Sequence, residues 1–510
     1  MWKSLAREAG IAVPSNAFSK PRSQTTINEA SKCSKCGEPR TSIGWCKPCD
    51  TARLKAQFGN WTSGNEELDN FIKETQINAN TPFDYIRWIP FESFENLEFI
   101  ARGGFGSVYS AKSENWGKVA LKFLDKVGGL TRDFLDEVRS HHRCSLGSGI
   151  IDCYGVSKDP ETDRYVMVMR YAEQGSLRRY LTAYFSELSW DAKIELFERI
   201  AKGLRGIHEA GLVHRDFHSG NILRHEKLVY VTDLGMCRPA DESVDVHYGV
   251  LPYVAPEVLR GSPYTQAADI YSLGMIMWEM SSNEPPFADR AHDYTLAREI
   301  CMGLRPPIIS GTPKGYVAAM LRCWDADPLK RPTVNELLSV SYKWRYLSDG
   351  KAPFQGPKTK KVKTSHIPKA ISTGQHPQAF YTSRLLHYPN LPEPINSDFY
   401  TLFDSETGEL HNMVRKQPNK REPTRSSTMT SEYSSRSTTE KGKEKVGEGN
   451  PPGHRREAIS RSMTMGKIDK EMIDKIRAER KKLSQYRWSS IINEVPQQVE
   501  LSSFDKIHKD

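Results

Sequence analysis

The stretch from His214 to Gly235 constrains this chain more than any other part of it. His214-Arg215-Asp216 is followed five residues after the aspartate by Asn221, and then by Asp233-Leu234-Gly235. Two carboxylates and a carboxamide in that pattern suit a loop that orients a hydroxyl and holds magnesium against a nucleotide phosphate. A lone His-Arg-Asp triplet would mean little. The order of the further motifs makes the reading specific. Upstream stand Ala101-Arg102-Gly103-Gly104-Phe105-Gly106-Ser107-Val108 and Val119-Ala120-Leu121-Lys122; downstream stand Ala255-Pro256-Glu257 and Asp269.

Taken together these motifs resemble the eukaryotic protein kinase family over roughly residues 91–346, about half the chain. The residue patterns agree: 97–168 reads as strand-rich with one helix, and about 176–346 as mostly helical. Strands first and helices second fit an α+β, two-lobed architecture. The glycine-rich segment Ala101, Gly103, Gly104, Phe105 and Gly106 falls between two expected strands, where bare backbone can approach triphosphate oxygens.

The resemblance implies further roles. Val108 and Ala120 would cover one face of adenine. Met169 would be the gatekeeper, and Arg170, Tyr171 and Ala172 the hinge. Lys122 would hold the α- and β-phosphates while pairing with a carboxylate on the following helix, Glu137 or its neighbour Asp136. Asp216 would orient the acceptor hydroxyl, and Asn221 and Asp233 would hold magnesium. His214 is read as a packing residue. Glu257 and Arg331 would form a buried ion pair, Asp269 would brace the loop carrying Asp216, and Trp278, Trp324 and Pro332 would be core. The expected activity is ATP-dependent phosphoryl transfer to protein hydroxyls. With Lys122, Asp216, Asn221 and Asp233 all present, an active enzyme is favoured over a pseudokinase or scaffold.

Several positions depart from the family pattern. Ala101 stands where its first glycine usually lies, Leu234 replaces a phenylalanine, and Arg170 occupies a place often acidic. His218 and Val250 replace the lysine and threonine that serine/threonine kinases carry near the acceptor. Gly220-Asn221, Cys323-Trp324 and Arg331-Pro332 look most like the tyrosine-kinase-like group, whose members mostly phosphorylate Ser/Thr. Tyrosine or dual specificity stays as the alternative. Arg215 is of the kind that binds a phosphate on the activation segment in this family. Between Asp233 and Glu257 the chain offers Ser243, Tyr248 and Tyr253 as acceptors, with Tyr253 expected to be packed. The same loop carries Asp241, Glu242 and Asp245, and the carboxylate of Glu242 or Asp245 is expected to pair with Arg215 instead of a phosphate.

Four of the nine cysteines form two close pairs, Cys33/Cys36 and Cys46/Cys49, within residues 31–50. Two such turns complete a tetrahedral zinc site, and four thiolates leave no open position, so the expected role is structural. Two disulfides or unpaired thiols are the alternative, and the five scattered cysteines argue for a reducing setting, cytoplasmic or nuclear. The module would dock a partner protein. It has few aromatics and only a modest basic excess, so nucleic acid is not favoured as its ligand.

The remaining organisation is simpler. Residues 1–30 are expected to be mobile, and 51–90 a connector with a short amphipathic helix at Glu66–Ile72. Trp88, Phe91 and Phe94 should pack on the small lobe, and a fragment of residues 85–350 should function alone. Beyond 347 the chain is polar and basic. This tail is expected to be mostly disordered, with a Ser/Thr-rich stretch at 424–440 and a candidate docking helix at 467–488. The formal charge of +9 comes chiefly from this tail. No apolar run is long enough for a transmembrane helix.

Overall fold

The computed structural model describes residues 32–104, 106–124, 130–145, 149–239, 242, 247–346 and 375–396. The segments 1–30, 424–440 and 467–488 lie outside them, as does Phe105. Among the described residues no helix is long and apolar enough to cross a membrane.

Helices α1 (Lys47–Lys55) and α2 (Glu66–Asn78) precede the first strand. The α2 helix starts where the sequence places it and runs on past Ile72 to Asn78. Its start is set by Asn65, whose side chain accepts from the Leu68 amide. Its apolar face carries Leu68 and Ile72, both fully buried. The stretch expected as a connector is therefore ordered and packed. Strand β1 (Arg87–Trp88) even joins the small-lobe sheet, pairing in parallel with Gly155 and Val156.

The small lobe is a six-stranded sheet. Strands β2 (Phe94–Arg102), β3 (Gly106–Ser113) and β4 (Gly117–Leu124) form an antiparallel meander. Helix α3 (Arg132–Cys144) follows, capped by Thr131, whose hydroxyl accepts from the Phe134 amide. Strands β5 (Cys153–Asp159) and β6 (Arg164–Arg170) complete the sheet, with β6 against β4. Helix α3 buries Phe134, Leu135 and Val138 in one cluster with Leu68 and Ile72 of α2. The two faces bury one another because each is an apolar stripe at helical spacing.

The large lobe is helical. Helix α4 (Leu177–Tyr184) and the long α5 (Trp190–Glu209) lead through β7 (Leu212–Val213) to the paired strands β8 (Ile222–His225) and β9 (Leu228–Val231). Strand β10 (Arg238–Pro239) pairs with β7, and β11 (His247–Gly249) precedes the short α6 (Pro256–Leu259). Helix α7 (Gln266–Ser282) buries residues on all sides, as a central core helix must. Helices α8 (Tyr294–Cys301), α9 (Lys314–Cys323) and α10 (Val334–Tyr346) close the lobe. One further strand, β12 (Arg384–Leu386), comes from the described segment 375–396 and pairs antiparallel with β11.

Candidate active site

Strand register aligns the first residues of the site. Val108 on β3 faces Lys122 on β4, and Ala120 on β4 faces Met169 on β6. The hairpin between β2 and β3 is closed by the Gly103 amide donating to the Gly106 carbonyl at 2.8 Å. A Cβ on Gly106 would lie 2.1 Å from the Phe123 carbonyl oxygen, so only glycine fits there. Ala101 pairs with Val108 on the adjoining strand, in register with the hairpin.

The Lys122 ammonium lies 2.6 Å from Glu137 Oε1 and 2.8 Å from Asp233 Oδ1. Burial opposes its charge, but the Asp233 and Glu137 carboxylates outweigh burial and hold the lysine pKa above its ordinary value. The geometry also decides between the two candidate acids on α3. Asp136 turns instead toward Arg238, 3.6 Å away at the base of the activation segment. Asp233 adopts a left-handed backbone, φ 61°, which turns its carboxylate back into the cleft.

Asp216 is buried at the centre of the site. Its main-chain carbonyl and Oδ2 both accept from the Asn221 amide nitrogen, at 3.0 and 3.3 Å. The other carboxylate oxygen, Oδ1, is buried and has no hydrogen-bond partner among the described residues. The loop is held by Asp269, whose carboxylate accepts from the His214 and Arg215 amides at 2.8 and 3.1 Å. Asp269 thus shapes the loop through its backbone. His214 is fully buried, its ring against Phe217, and burial depresses its pKa. His218 Nδ1 accepts from the Gly220 amide, which aims Nε2 at Asp216 Oδ2, 3.6 Å away. Burial opposes an imidazolium there, yet Asp216 more than offsets it and the His218 pKa is raised; the same pairing helps keep the Asp216 pKa low despite burial. A histidine whose charged form Asp216 favours thus occupies the place of the family's usual lysine. Val250 is buried in the large-lobe core, and its apolar side chain offers that histidine no hydrogen bond.

The hinge departure has a local cause. Arg170 donates to Asp152 Oδ2 from Nε at 2.7 Å, so its charge is matched by the neighbouring strand. Tyr171 carries Lys118 over its ring, 4.4 Å from the centroid, and Ala172 follows at the start of the turn into the large lobe. Below the site, Arg331 makes a bidentate pair with Glu257, both bonds 2.7 Å. Trp278 and Trp324 are buried as expected.

One expectation is corrected. Arg215 does not pair with the Glu242 carboxylate. Its guanidinium donates to the Glu242 and Pro239 carbonyls, at 2.9 and 3.3 Å. The Glu242 carboxylate lies toward Arg238 instead, 3.9 Å away. The loop presents its backbone carbonyls to the guanidinium, and the Glu242 side chain would have to fold back over that backbone to reach it. Asp241, Ser243 and Asp245 lie outside the described residues. Tyr253 is buried, donating to Glu279 Oε2 at 2.7 Å, in keeping with a packed residue.

Sequence reasoning missed Ser383. Its hydroxyl donates to Asp216 Oδ2, and its carbonyl oxygen lies only 2.9 Å from where a Cβ on Gly104 would stand. A serine in a polar tail gives no signal of this by itself.

At the N-terminal module the four cysteine sulfurs lie within 4.8 Å of one another, with Cys33 to Cys49 at 3.9 Å and Cys36 to Cys46 at 3.5 Å. Four sulfurs around one zinc, each about 2.3 Å from it, would sit roughly 3.8 Å apart. The backbone amides of Lys35 and Cys36 lower the Cys33 thiol to about 6, while the neighbouring Cys36 thiol helps push Cys49 up to about 12. The donor set fits a tetrahedral thiolate site.

A two-lobed fold with a glycine hairpin, a lysine–glutamate pair and two cleft aspartates defines a phosphoryl-transfer architecture. Residues 94–343 match the protein kinase domain model, and this part of the chain has that domain's sheet-based small lobe and helical large lobe. Similar curated proteins include a putative serine/threonine-protein kinase/receptor, R826, of Acanthamoeba polyphaga mimivirus, 28% identical over 50% of this chain and 16% of its own length. Another is the probable serine/threonine-protein kinase roco5 of Dictyostelium discoideum, 31% identical over 53% of this chain and 10% of its own. A third is mitogen-activated protein kinase kinase kinase 7 of Homo sapiens, 29% identical over 53% of this chain and 45% of its own. The chain spans less than half the length of each of these relatives.

Proposed function

We propose that this chain is an ATP-dependent protein kinase acting on serine and threonine hydroxyls. The observation that carries the reading is the Lys122 ammonium held between Glu137 and Asp233, with Asp216 and Asn221 joined beside them. In this reading Lys122 grips the α- and β-phosphates of ATP. Asn221 and Asp233 hold magnesium, a hard cation suited to their oxygen donors, which supplies charge neutralisation for the transferring phosphoryl group. Asp216 accepts a hydrogen bond from the acceptor hydroxyl and orients it for in-line attack. His218 Nε2 stands 3.6 Å from Asp216 Oδ2, beside that point.

The names of the relatives above support serine/threonine acceptors, and the motifs at Gly220-Asn221 and Cys323-Trp324 support placement in the tyrosine-kinase-like group. The four-cysteine cluster is proposed to hold one structural zinc, and the module it would organise to dock a partner protein. The nine cysteines form no disulfide, which fits a reducing cytoplasmic or nuclear setting. The test is transfer of labelled phosphate from ATP and magnesium to a degenerate peptide library, with phosphoamino-acid analysis. Asp216→Asn and Lys122→Met are each expected to lower the rate by several orders of magnitude while thermal unfolding stays cooperative. Near-normal rates in both variants would refute the assignment, and phosphotyrosine alone would replace the acceptor class.

A further inference from the structure

We propose that Ser383 is a phosphoacceptor of this chain's own active site, presented in cis by a tethered segment at 375–396. The proposal rests on the kinase reading above and names the first substrate of that site. Four independent contacts place the segment in the acceptor groove. The Ser383 hydroxyl donates to Asp216, the residue assigned to orient an acceptor. The Ser383 backbone lies directly under the glycine hairpin at Gly104. The next three residues, Arg384–Leu386, pair antiparallel with His247–Gly249 of the activation segment, and Leu386 is buried against the large-lobe core. On the other side of the serine, the His292 amide donates to the Gln378 carbonyl at 3.0 Å, and the Phe380 amide donates to the His292 ring at 3.1 Å.

The arrangement is that of an extended peptide read through its backbone, with Leu386 and Leu391 seated in the large-lobe cluster. The hydroxyl sits at the one position where transfer is possible, and the third residue beyond it fills an apolar slot. In the step itself, Ser383 Oγ forms a bond to the γ-phosphorus of ATP as the bond from that phosphorus to the β,γ-bridging oxygen breaks. The hydroxyl proton passes to Asp216, and ADP leaves with the electron pair. Once Asp216 gives that proton up to solvent, the product is a phosphoserine dianion beside a carboxylate. Like charges at that range disfavour each other, so the modified segment should leave the groove.

Tethering also sets a barrier for other substrates. A flexible tether holds its ligand at an effective concentration on the order of millimolar, so a free peptide at about 100 µM faces roughly tenfold competition. The same groove would favour a hydroxyl followed at the third position by leucine or a similar apolar residue.

The test uses the full chain with ATP and magnesium, phosphosite mapping by mass spectrometry, and a serine peptide carrying leucine three residues after its acceptor. Ser383 phosphate is expected to form with a first-order rate unchanged over a hundredfold dilution. Leu386→Asp, which unseats the segment without touching the cleft, should slow Ser383 modification at least tenfold and raise peptide phosphorylation severalfold. Peptide phosphorylation with Ser383 left unmodified would overturn this proposal and leave the kinase reading standing. So would a Ser383 rate that falls in proportion to dilution. Absence of transfer to either acceptor, in the parent chain and in Leu386→Asp alike, would overturn the kinase reading itself.

Discussion

Truncating Leu68 to alanine tests whether the segment before the kinase domain is part of its folding unit. Leu68 is 0% exposed and shares a cluster with Ile72 of α2 and with Phe134, Leu135 and Val138 of α3. Deleting a buried leucine side chain costs about 2–5 kcal/mol, the spread reflecting how far the cavity collapses. The surroundings here are two helices and a sheet, which relax little, so about 3 kcal/mol is expected. For a domain of this size each kcal/mol moves the midpoint by roughly 2–4 °C, which gives a fall of roughly 6–12 °C in the main thermal transition. Glu67→Ala is the control on the same helix. Its partner Arg139 is 3.0 Å away, but the two side chains are 63% and 43% exposed, so the pair is worth less than about 1 kcal/mol. The assay is circular dichroism of both variants and the parent chain during heating. A main transition unmoved by Leu68→Ala, with only a small early loss of helix, would refute the argument and restore residues 51–90 as a separable connector. The same reasoning reverses the expectation for a fragment of residues 85–350. Lacking α2, it would bare the outer face of the helix that carries Glu137, and it should be less stable and less active than the full chain.

Three further outcomes are expected. Metal analysis of the purified chain should give about one zinc per molecule, and Cys46→Ser should release it and unfold the segment around α1, because metal binding supplies the folding energy of so small a unit; a metal-free chain with this segment still folded would count against the site. Arg331→Ala should destabilise the large lobe by about 3–5 kcal/mol in denaturant titration, since it leaves Glu257 partly buried and unpaired; a loss below about 1 kcal/mol would contradict that. Lys193 is buried against Phe185 and Trp190, and burial lowers its pKa from 10.5 to about 8. Between those values the unfolded chain binds the proton and the folded chain does not, so stability should rise as pH increases from about 8 toward 10. Lys193→Met should raise the melting point at pH 7 and flatten that rise; equal pH profiles would refute it.

The cleft residues were legible in the sequence for a chemical reason. A position that grips phosphate, carries metal or tolerates only glycine admits few residue types, so Lys122, Asp216, Asn221, Asp233 and Gly106 announce themselves. Glu137 needed only a choice between adjacent acids, settled by which face of α3 turns inward. Other features depend on partners distant in sequence. The pairing of Arg170 with Asp152 follows from strand register, which the residues alone do not set. The length of α2 was underestimated because its later turns, Lys73 to Asn78, look polar, yet Thr75 and Gln76 are buried there and bond to the backbone around Ile86. Arg384-Leu385-Leu386 is too short to read as a strand until β11 offers it an edge.

The flanking segments hold the kinase domain with different strengths, and that difference has consequences. The α2 helix meets α3 through a continuous apolar cluster that includes Leu68 and Ile72, both fully buried, and the Tyr165 hydroxyl ties the sheet to the Ser63 carbonyl at 3.0 Å. Such an interface opens only with the lobe itself. The Ser383 segment is held by a three-residue ladder, the buried Leu386 and Leu391, the Arg260–Glu393 ion pair and backbone bonds around His292 and Cys301. It adds Leu386 and Leu391 to the edge of a large-lobe cluster that is otherwise built from residues 144–337, so the segment can leave and return while the fold persists. A substrate on such a segment can be modified and released, whereas α2 holds the Glu137 helix against Lys122 throughout. The N-terminal flank therefore acts as part of the scaffold, and the C-terminal flank as an occupant of the groove.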